Sequence, residues 1–307
     1  MSDHPRPSPA ARELVSGGYD PHVHIAPDVM ERRIDDLALA RRFHERRLAG
    51  FVLKSHYVPT AERASVVKAA VTGVDAVGAI TLNASVGGLN PIAVEIAARE
   101  GARWVWLPTV DCRNQRESHA ADPPGAKPPM WARLQRELHD EGIASPPIDV
   151  VDAAGEVTGA LRDVLRVVAK HDLVLATGHL SRDEIFAVVD AATAAGVRRV
   201  VVTHPEFTSQ RISPADQREL AARGTYLERC FTTAHTGKCT WDTVFDGVRA
   251  ATPARSFFAS DLGQPFNPPV EDGLALMADR FLAAGFTEEE VHTMAVTNTV
   301  ALAGPTS

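Results

Sequence analysis

Cysteine is scarce in this chain: Cys112, Cys230 and Cys239 are the only three among 307 residues. Thiols so few and so irregularly spaced do not build a disulfide framework or a cysteine-based zinc site. Reduced thiols in a cytoplasmic protein are the expectation. Basic charge is not in excess either. Lys and Arg total 32 against 39 Asp and Glu, for a net charge of −7, and no basic stripe stands out. Nucleic acid is therefore not an expected partner. Apolar runs long enough to cross a membrane are also missing. The opening "MSDHPRPSPAAREL" places proline and charge where a signal peptide needs an apolar stretch. Arginines are many, but those in "ERRIDDLALARRFHERR" are interleaved with acidic residues. A solvated helix face is expected for that segment.

What is present is a strong strand–helix rhythm. Eight apolar runs recur: "GYDPHVHI", "GFVLKSHY", "AVGAITLN", "RWVWLPTV", "DLVLATGH", "RRVVVTHP", "GTYLERCF" and "RSFFASD". They are rich in Val, Leu and Ile without strict alternation, as strands buried on both faces are. Helix signals separate them. "SRDE" at 181–184 reads as a capping box, Ser213 and Pro214 as cap and first helical residue, and Thr287 to Gly304 as a capped and terminated helix. Eight such units predict an α/β protein, a (β/α)8 TIM-like barrel. Residues 1–16 read as an N-terminal leader and 17–307 as a single barrel domain. The interval after strand 4 is too long for a simple helix. An excursion is expected over about 112–160, with a proline-rich part, a small hairpin about Gly155 and a lid role.

Barrel chemistry sits at the C-terminal strand ends, and the ionisable residues gather there. His22 and His24 are i and i+2 on strand 1, so they share a face. Lys54 and His56 repeat the pattern on strand 2. His179 ends strand 5, His204 ends strand 6, Glu228 lies on strand 7 and Asp261 ends strand 8. A single strand-end histidine is usually a satisfied rim residue, but five together with a lysine and two carboxylates are not. Burying them without a metal or a proton-transfer task would cost several kcal/mol each. Imidazoles and carboxylates converging on one mouth suit a divalent metal, zinc foremost, as one or two ions. Asn83, ending strand 3, and His235, in a loop on the catalytic side, are candidate substrate-binding residues beside Glu228. For Glu228 a salt bridge to a neighbouring arginine is an equal alternative. His4, His44, His139, His171 and His292 read as surface residues, and His119 as an ordinary loop residue.

This pattern resembles the amidohydrolase superfamily of metal-dependent hydrolases over nearly the whole chain. The "HVH" of strand 1, "ATGHLS", "VVTHPEF" and "FASDLG" match its first-strand histidine pair, its histidines ending strands 5 and 6, and its strand 8 aspartate. Two features depart from it. No bridging lysine or glutamate stands on strand 4, where only Asp111 is at hand, whereas Lys54 stands on strand 2. His56 is similar to the histidine closing strand 2 of the PHP phosphoesterases, yet "DLG" lacks that group's final histidine. A divergent branch is implied.

The resemblance implies a metal-activated water attacking an amide, cyclic amide, lactone or ester of a small molecule. In it His22, His24, His56, His179, His204, Lys54 and Asp261 are candidate ligands. Asp261 would be the base, and His204 a second-metal ligand or an oxyanion stabiliser. Lys54 would be a carboxylated bridge or an ammonium binding an anionic group. Phosphoester hydrolysis of PHP type and a mononuclear-metal decarboxylase or lyase remain as alternatives. The expected partners are a small-molecule substrate and, as an open arrangement, further copies in a homo-oligomer.

Overall fold

The computed structural model describes residues 4–120 and 130–305. Its centre is an eight-stranded sheet in chain order: β1 (Tyr19–Val23), β2 (Gly50–Leu53), β3 (Asp75–Thr81), β4 (Ala102–Trp106), β5 (Val174–Ala176), β6 (Arg199–Val202), β7 (Tyr226–Cys230) and β8 (Ser256–Ala259). Each of the eight apolar runs forms one of them. Every neighbouring pair is parallel. The ring closes just beyond the strands, where Val23 bridges Leu262. There the Asp261 N–H donates to the His22 carbonyl at 2.9 Å and the His24 N–H to the Leu262 carbonyl at 2.8 Å. With alternating helices outside, the architecture is a (β/α)8 barrel.

Strand parity divides the core into layers. Val52, Val77, Trp104, Val174, Val201 and Phe257 point inward and fill the barrel. Leu53, Val105, Leu175, Val202 and Phe258 point outward against the helices. The helices begin where their caps predict. Ser181 and Glu184 form a capping box, and Thr287 and Glu290 form another. Ser213 caps the helix that opens on Pro214. The last helix is less regular than its sequence grammar suggests: a π-helical turn over Thr293–Thr297 separates Glu288–His292 from Asn298–Ala303. Helix-to-sheet packing is close at Gly78 of β3, where a Cβ would lie 2.5 Å from the Ala61 Cα. Only glycine allows that approach.

Within the segment read as a leader, Pro9–Leu14 forms a helix. Ser8 donates through its N–H and hydroxyl to the Asp279 carboxylate at 2.7 and 2.6 Å, and Arg12 pairs with Asp272. The excursion after β4 carries helices Arg113–Ala120 and Met130–Asp140, and the expected hairpin is one antiparallel bridge between Val151 and Val157. Its proline-rich "DPPGAKPP", on which the lid reading rests, lies outside the described residues. Among the described residues no helix is long and apolar enough to cross a membrane.

On the outer face of β7, Arg229 is fully buried. It pairs with Glu206 and donates to Gln217 Oε1 at 2.6 Å and Ser256 Oγ at 3.1 Å. Removing one partner of a buried ion pair strands the other charge, at about 3–5 kcal/mol. Glu206→Ala is therefore expected to lower unfolding stability by about that amount in a urea titration. A loss below about 1 kcal/mol, the range of an exposed pair, would show that the guanidinium finds water instead.

Candidate metal centre

The inward parity of the strands delivers one cluster at the C-terminal mouth. His22 lies on β1, with His24 one residue past its end on the same face. Lys54 and His56 follow β2 on the parity of Val52, while His179 and His204 follow β5 and β6. Glu228 points inward from β7, and Asp261 lies two residues past β8. All except Asp261 are buried, and its side chain is 18% exposed. The five imidazoles form a closed ring. Centroid distances run 5.2 Å from His22 to His24, 4.9 Å to His56, 6.4 Å to His179, 4.9 Å to His204 and 6.1 Å back to His22.

Three donor atoms make a near-equilateral triangle. His22 Nε2 and His24 Nε2 are 3.3 Å apart, and each is 3.2 Å from Asp261 Oδ1. Tetrahedral coordination with zinc–ligand bonds of about 2.0–2.1 Å requires edges of about 3.3–3.4 Å. The triangle fits that requirement. The outer nitrogens of His22, His204 and His56 are held by further groups, as those of ligating histidines usually are, whereas Nδ1 of His24 and of His179 has no hydrogen-bond partner among the described residues. His22 Nδ1 lies 3.0 Å from Glu228 Oε1, whose other oxygen accepts the His204 N–H at 3.1 Å. Gln210 donates through Nε2 to the Gly178 and Thr203 carbonyls, so its Oε1, 3.1 Å from His204 Nδ1, must accept. His204 thus carries its proton on Nδ1 and leaves Nε2 bare. His56 Nδ1 meets Thr109 Oγ1 at 2.9 Å. Thr232 donates to Asp261 Oδ2 at 2.7 Å and sets the carboxylate plane.

Burial keeps most of the ring neutral. It holds His24 down at about 3 and His204 at about 4, and pushes His56 and His179 well below the usual imidazole range. Neutral rings have lone pairs to give. Burial lowers Lys54 as well. At His22, burial and Lys54 oppose the charged form, but Glu228 and Asp261 outweigh them and raise it. Lys54 Nζ lies 2.9 Å from His22 Nε2, within hydrogen-bonding distance. Asp261 stays ionised: burial opposes its charge, but His22 and His24 hold it well below the carboxylate range. Asp20, below His22, accepts the Ser260 N–H at 2.9 Å, and burial raises it to about 7.

The backbone is strained at the same place. His204 (φ 22°) and Asp261 (φ 51°) take positive φ without being glycine, a departure that concentrates at functional sites. Gly263 (φ 135°) passes so close to His24 that a Cβ would sit 1.5 Å from its carbonyl oxygen.

Two residues read as substrate-binding stand apart from the ring. Asn83 is buried and spends its amide on protein, donating to the His56 carbonyl and Thr109 Oγ1 and accepting from the Thr109 and Asp111 N–H groups. His235 ends a short helix, Phe231–His235, where it stacks on Phe231 and feels the charges of His4 and Arg280. Glu228 pairs with His22, while the arginine beside it, Arg229, serves the outer face. His119 lies on the helix Arg113–Ala120, edge-on to Trp131.

Other residues of the mouth were not singled out from sequence. Trp106 forms its floor, 5.6 Å from the His22 ring and 5.0 Å beneath Lys54 Nζ. Its i, i+2 partner Trp104 marks the same inward parity, which was the available signal. Gln210 and Thr232 lie in segments after β6 and β7 whose direction no periodicity gives. The solvated helix face expected for "ERRIDD" is corrected at Arg32 and Arg33. Asp35 caps the helix, which begins at Asp36, so both arginines lie in the loop before it. Arg32 is buried against Asp28, and Arg33 donates to the Pro265 and Asn267 carbonyls at 3.0 and 2.9 Å.

The buried imidazoles set an expected pH dependence. With folded values held below 6.5 at His24, His56, His179 and His204, the unfolded chain takes up protons first. Their stabilisation is complete above pH 6.5 and drains as pH falls. Asp261, depressed below 3.8, adds to the loss at lower pH, while His22 and Asp20, both raised, oppose it. Glu206, also raised, opposes the loss and Glu228, lowered, adds to it, so four imidazoles and two carboxyls outnumber three opposing groups. The thermal midpoint of chelator-treated protein is expected to fall steadily from pH 7 to pH 4. A flat or rising midpoint over that range would contradict the neutral ring.

Comparison with known proteins places this geometry among similar barrels. The probable dipeptidase PvdM from Pseudomonas aeruginosa matches with a TM-score of 0.60 at 11% identity, covering 96% of this chain and 97% of its own. An amidohydrolase from Pseudomonas aeruginosa matches at 0.61 and 11% identity, covering 96% and 98%. An organophosphate-hydrolysing protein engineered from a weak promiscuous lactonase matches at 0.52 and 19% identity, covering 96% and 97%. At these identities the likeness is one of fold. No curated protein matches. A family model spans residues 17–228, from ahead of the first histidine pair through Glu228 and so more than half of the chain, which therefore belongs to the family of unknown function DUF6282.

Proposed function

We propose that this chain is a metal-dependent hydrolase acting on an amide, cyclic amide, lactone or ester bond of a small molecule bound in the mouth. The observation that carries the reading is the triangle of His22 Nε2, His24 Nε2 and Asp261 Oδ1, with edges suited to one divalent ion. Two nitrogens and a carboxylate oxygen favour zinc. The neighbours described as a dipeptidase, an amidohydrolase and a lactonase derivative accord with acyl-transfer chemistry. A bound ion would polarise the scissile carbonyl and lower the pKa of a coordinated water towards 7.

The chain's own groups divide the remaining work. Asp261 is the general base: Thr232 anchors Oδ2, and Oδ1, the oxygen of the triangle, takes the proton of the attacking water and passes it to the leaving group. His204 offers a bare Nε2, so it accepts and cannot donate to an oxyanion in that tautomer. This supports a ligand role, shared with His179 and His56, in place of oxyanion stabilisation. Lys54 forms no ion pair at 4 Å among the described residues and faces Asp261 and Glu228 across the ring. As an ammonium it donates to negative charge developing on the substrate, and as a carbamate it becomes a further ligand. Asn83 contributes by holding the His56 backbone.

Replacing His22 or His24 with alanine is expected to remove most bound zinc, read as metal per chain, while circular dichroism keeps the barrel signature. Metal content unchanged in both variants would move the site elsewhere. Asp261→Asn is expected to retain zinc and to lower turnover by about 10²- to 10⁴-fold, the usual cost of a lost general base. The reading as a whole is tested by offering zinc-loaded protein a panel of amides, lactones, esters and phosphoesters in ¹⁸O-labelled water. Turnover with no label in the product would replace the hydrolase with a lyase.

A further inference from the structure

At the opposite end of the barrel from the histidine ring, the starts of β3, β4 and β6 surround a cavity of about 480 Å³. Its ionisable lining residues are Lys68, Asp75, Arg103, His171, Asp172 and Arg199. They come from separate elements. Lys68 lies on the helix Ala61–Ala70, Asp75 opens β3, Arg103 lies on β4 and Arg199 opens β6. His171 and Asp172 link the helix Gly159–Lys170 to β5. None of these groups serves the ring.

The carboxylates are used up within the wall, and the cations are not. Asp75 accepts from Arg103 Nη2 and from the Tyr19 hydroxyl at 3.2 Å, and Lys68 Nζ lies 3.8 Å away. Asp172 takes Arg199 Nη2 at 2.9 Å and Arg198 Nη2 at 2.7 Å. Each carboxylate therefore answers two cations, which leaves positive charge in excess around the cavity. His171 does not restore the balance: its Nε2 meets Glu95 at 2.8 Å, and Lys170 and Arg99 share that carboxylate.

Arg199 shows the deficit most directly. Its Nε is buried and has no hydrogen-bond partner among the described residues, while Asp172 occupies Nη2. Burial lowers the pKa of Arg199, Asp172 opposes, and Arg198 and Arg103 lower it further. Two guanidiniums on one cavity wall thus repel each other. An unpaired buried donor and crowded like charges are costly unless an anion completes them.

We propose that this cavity binds a small organic phosphate, with its phosphate group held by Arg103, Arg199 and Lys68. The site lies apart from the ring and does not rest on the hydrolase reading. A phosphate spreads its charge over oxygens that point in several directions, so it accepts from two guanidinium forks and an ammonium at once. A planar carboxylate is matched by a single fork. The volume falls within the range of small-molecule sites, and Leu173 and Pro305 give an organic part an apolar wall. Among the described lining residues no aromatic ring offers a nucleobase a stacking partner.

The test is calorimetric titration of zinc-loaded full-length protein with glycerol 3-phosphate, inorganic phosphate, succinate and glycerol. Wild type is expected to bind glycerol 3-phosphate more tightly than inorganic phosphate or succinate, and glycerol not at all. Arg103→Met and Arg199→Met should each weaken glycerol 3-phosphate about tenfold or more, the value of a charged hydrogen bond. Both variants leave the aspartates partnered, since Asp75 keeps Tyr19 and Lys68, and Asp172 keeps Arg198. Should either fail to fold, Lys68→Met decides, because that side chain is 47% exposed. It should lower the affinity about 2- to 5-fold with an unchanged thermal midpoint. Wild-type affinity in every folded variant overturns the site and moves the anion to the mouth. Succinate bound as tightly as glycerol 3-phosphate, and lost in the same variants, overturns the phosphate and leaves a dicarboxylate site. Inorganic phosphate bound as tightly overturns the organic part.

Discussion

Two backbone hydrogen bonds where the barrel closes organise everything above them. The Asp261 N–H reaches the His22 carbonyl, and the His24 N–H reaches the Leu262 carbonyl. They join the first strand to the segment after the last, and they are made by the residues whose side chains form the donor triangle. Closing the fold and assembling the site are thus one event. The local geometry shows the tension of serving both ends: Asp261 takes a left-handed backbone, and Gly263 must lack a side chain to pass the His24 carbonyl. A one-residue slip at this seam would turn His22 and His24 to the helix side and disperse the triangle.

Around the seam, burial and pairing have opposite effects on neighbouring groups. Desolvation alone would neutralise every member of the cluster, and it does neutralise four imidazoles. Glu228 and Asp261 escape because His22 lies between them, and their charges in turn favour the protonated form of His22. The result is a pocket with bare nitrogens on one side and anionic oxygens on the other. A small, strongly charged cation satisfies both sides at once, as no single protein side chain can.

Much of this was legible in the sequence. Val, Leu and Ile runs marked all eight strands, since a parallel sheet covered on both faces needs them. Strand parity also marked which ionisable residues share the mouth, because an inward position at a strand end has only one direction to face. Legibility failed where the chain leaves the sheet. Asn83 and His235 lie near strand ends like the ring histidines, yet loop and helix geometry turns them to other partners. Arg32 looked like one arginine among many on a helix, and only the cap at Asp35 shows it to be a loop residue. Gln210 decides a tautomer from six residues away, which no spacing rule anticipates.

The floor of the mouth has an optical consequence. The chain has four tryptophans, and Trp104 and Trp106 stack at 5.4 Å, fully buried, with Trp106 against His22 and Lys54. Indole emission is sensitive to the charge of nearby amines and imidazoles, and Lys54 and His22 stand over this pair. Any event that changes the charge of either group changes the surroundings of Trp106 without moving the ring. The protein therefore carries an intrinsic fluorophore at the base of its own site, reporting occupancy from inside a wall that is otherwise silent.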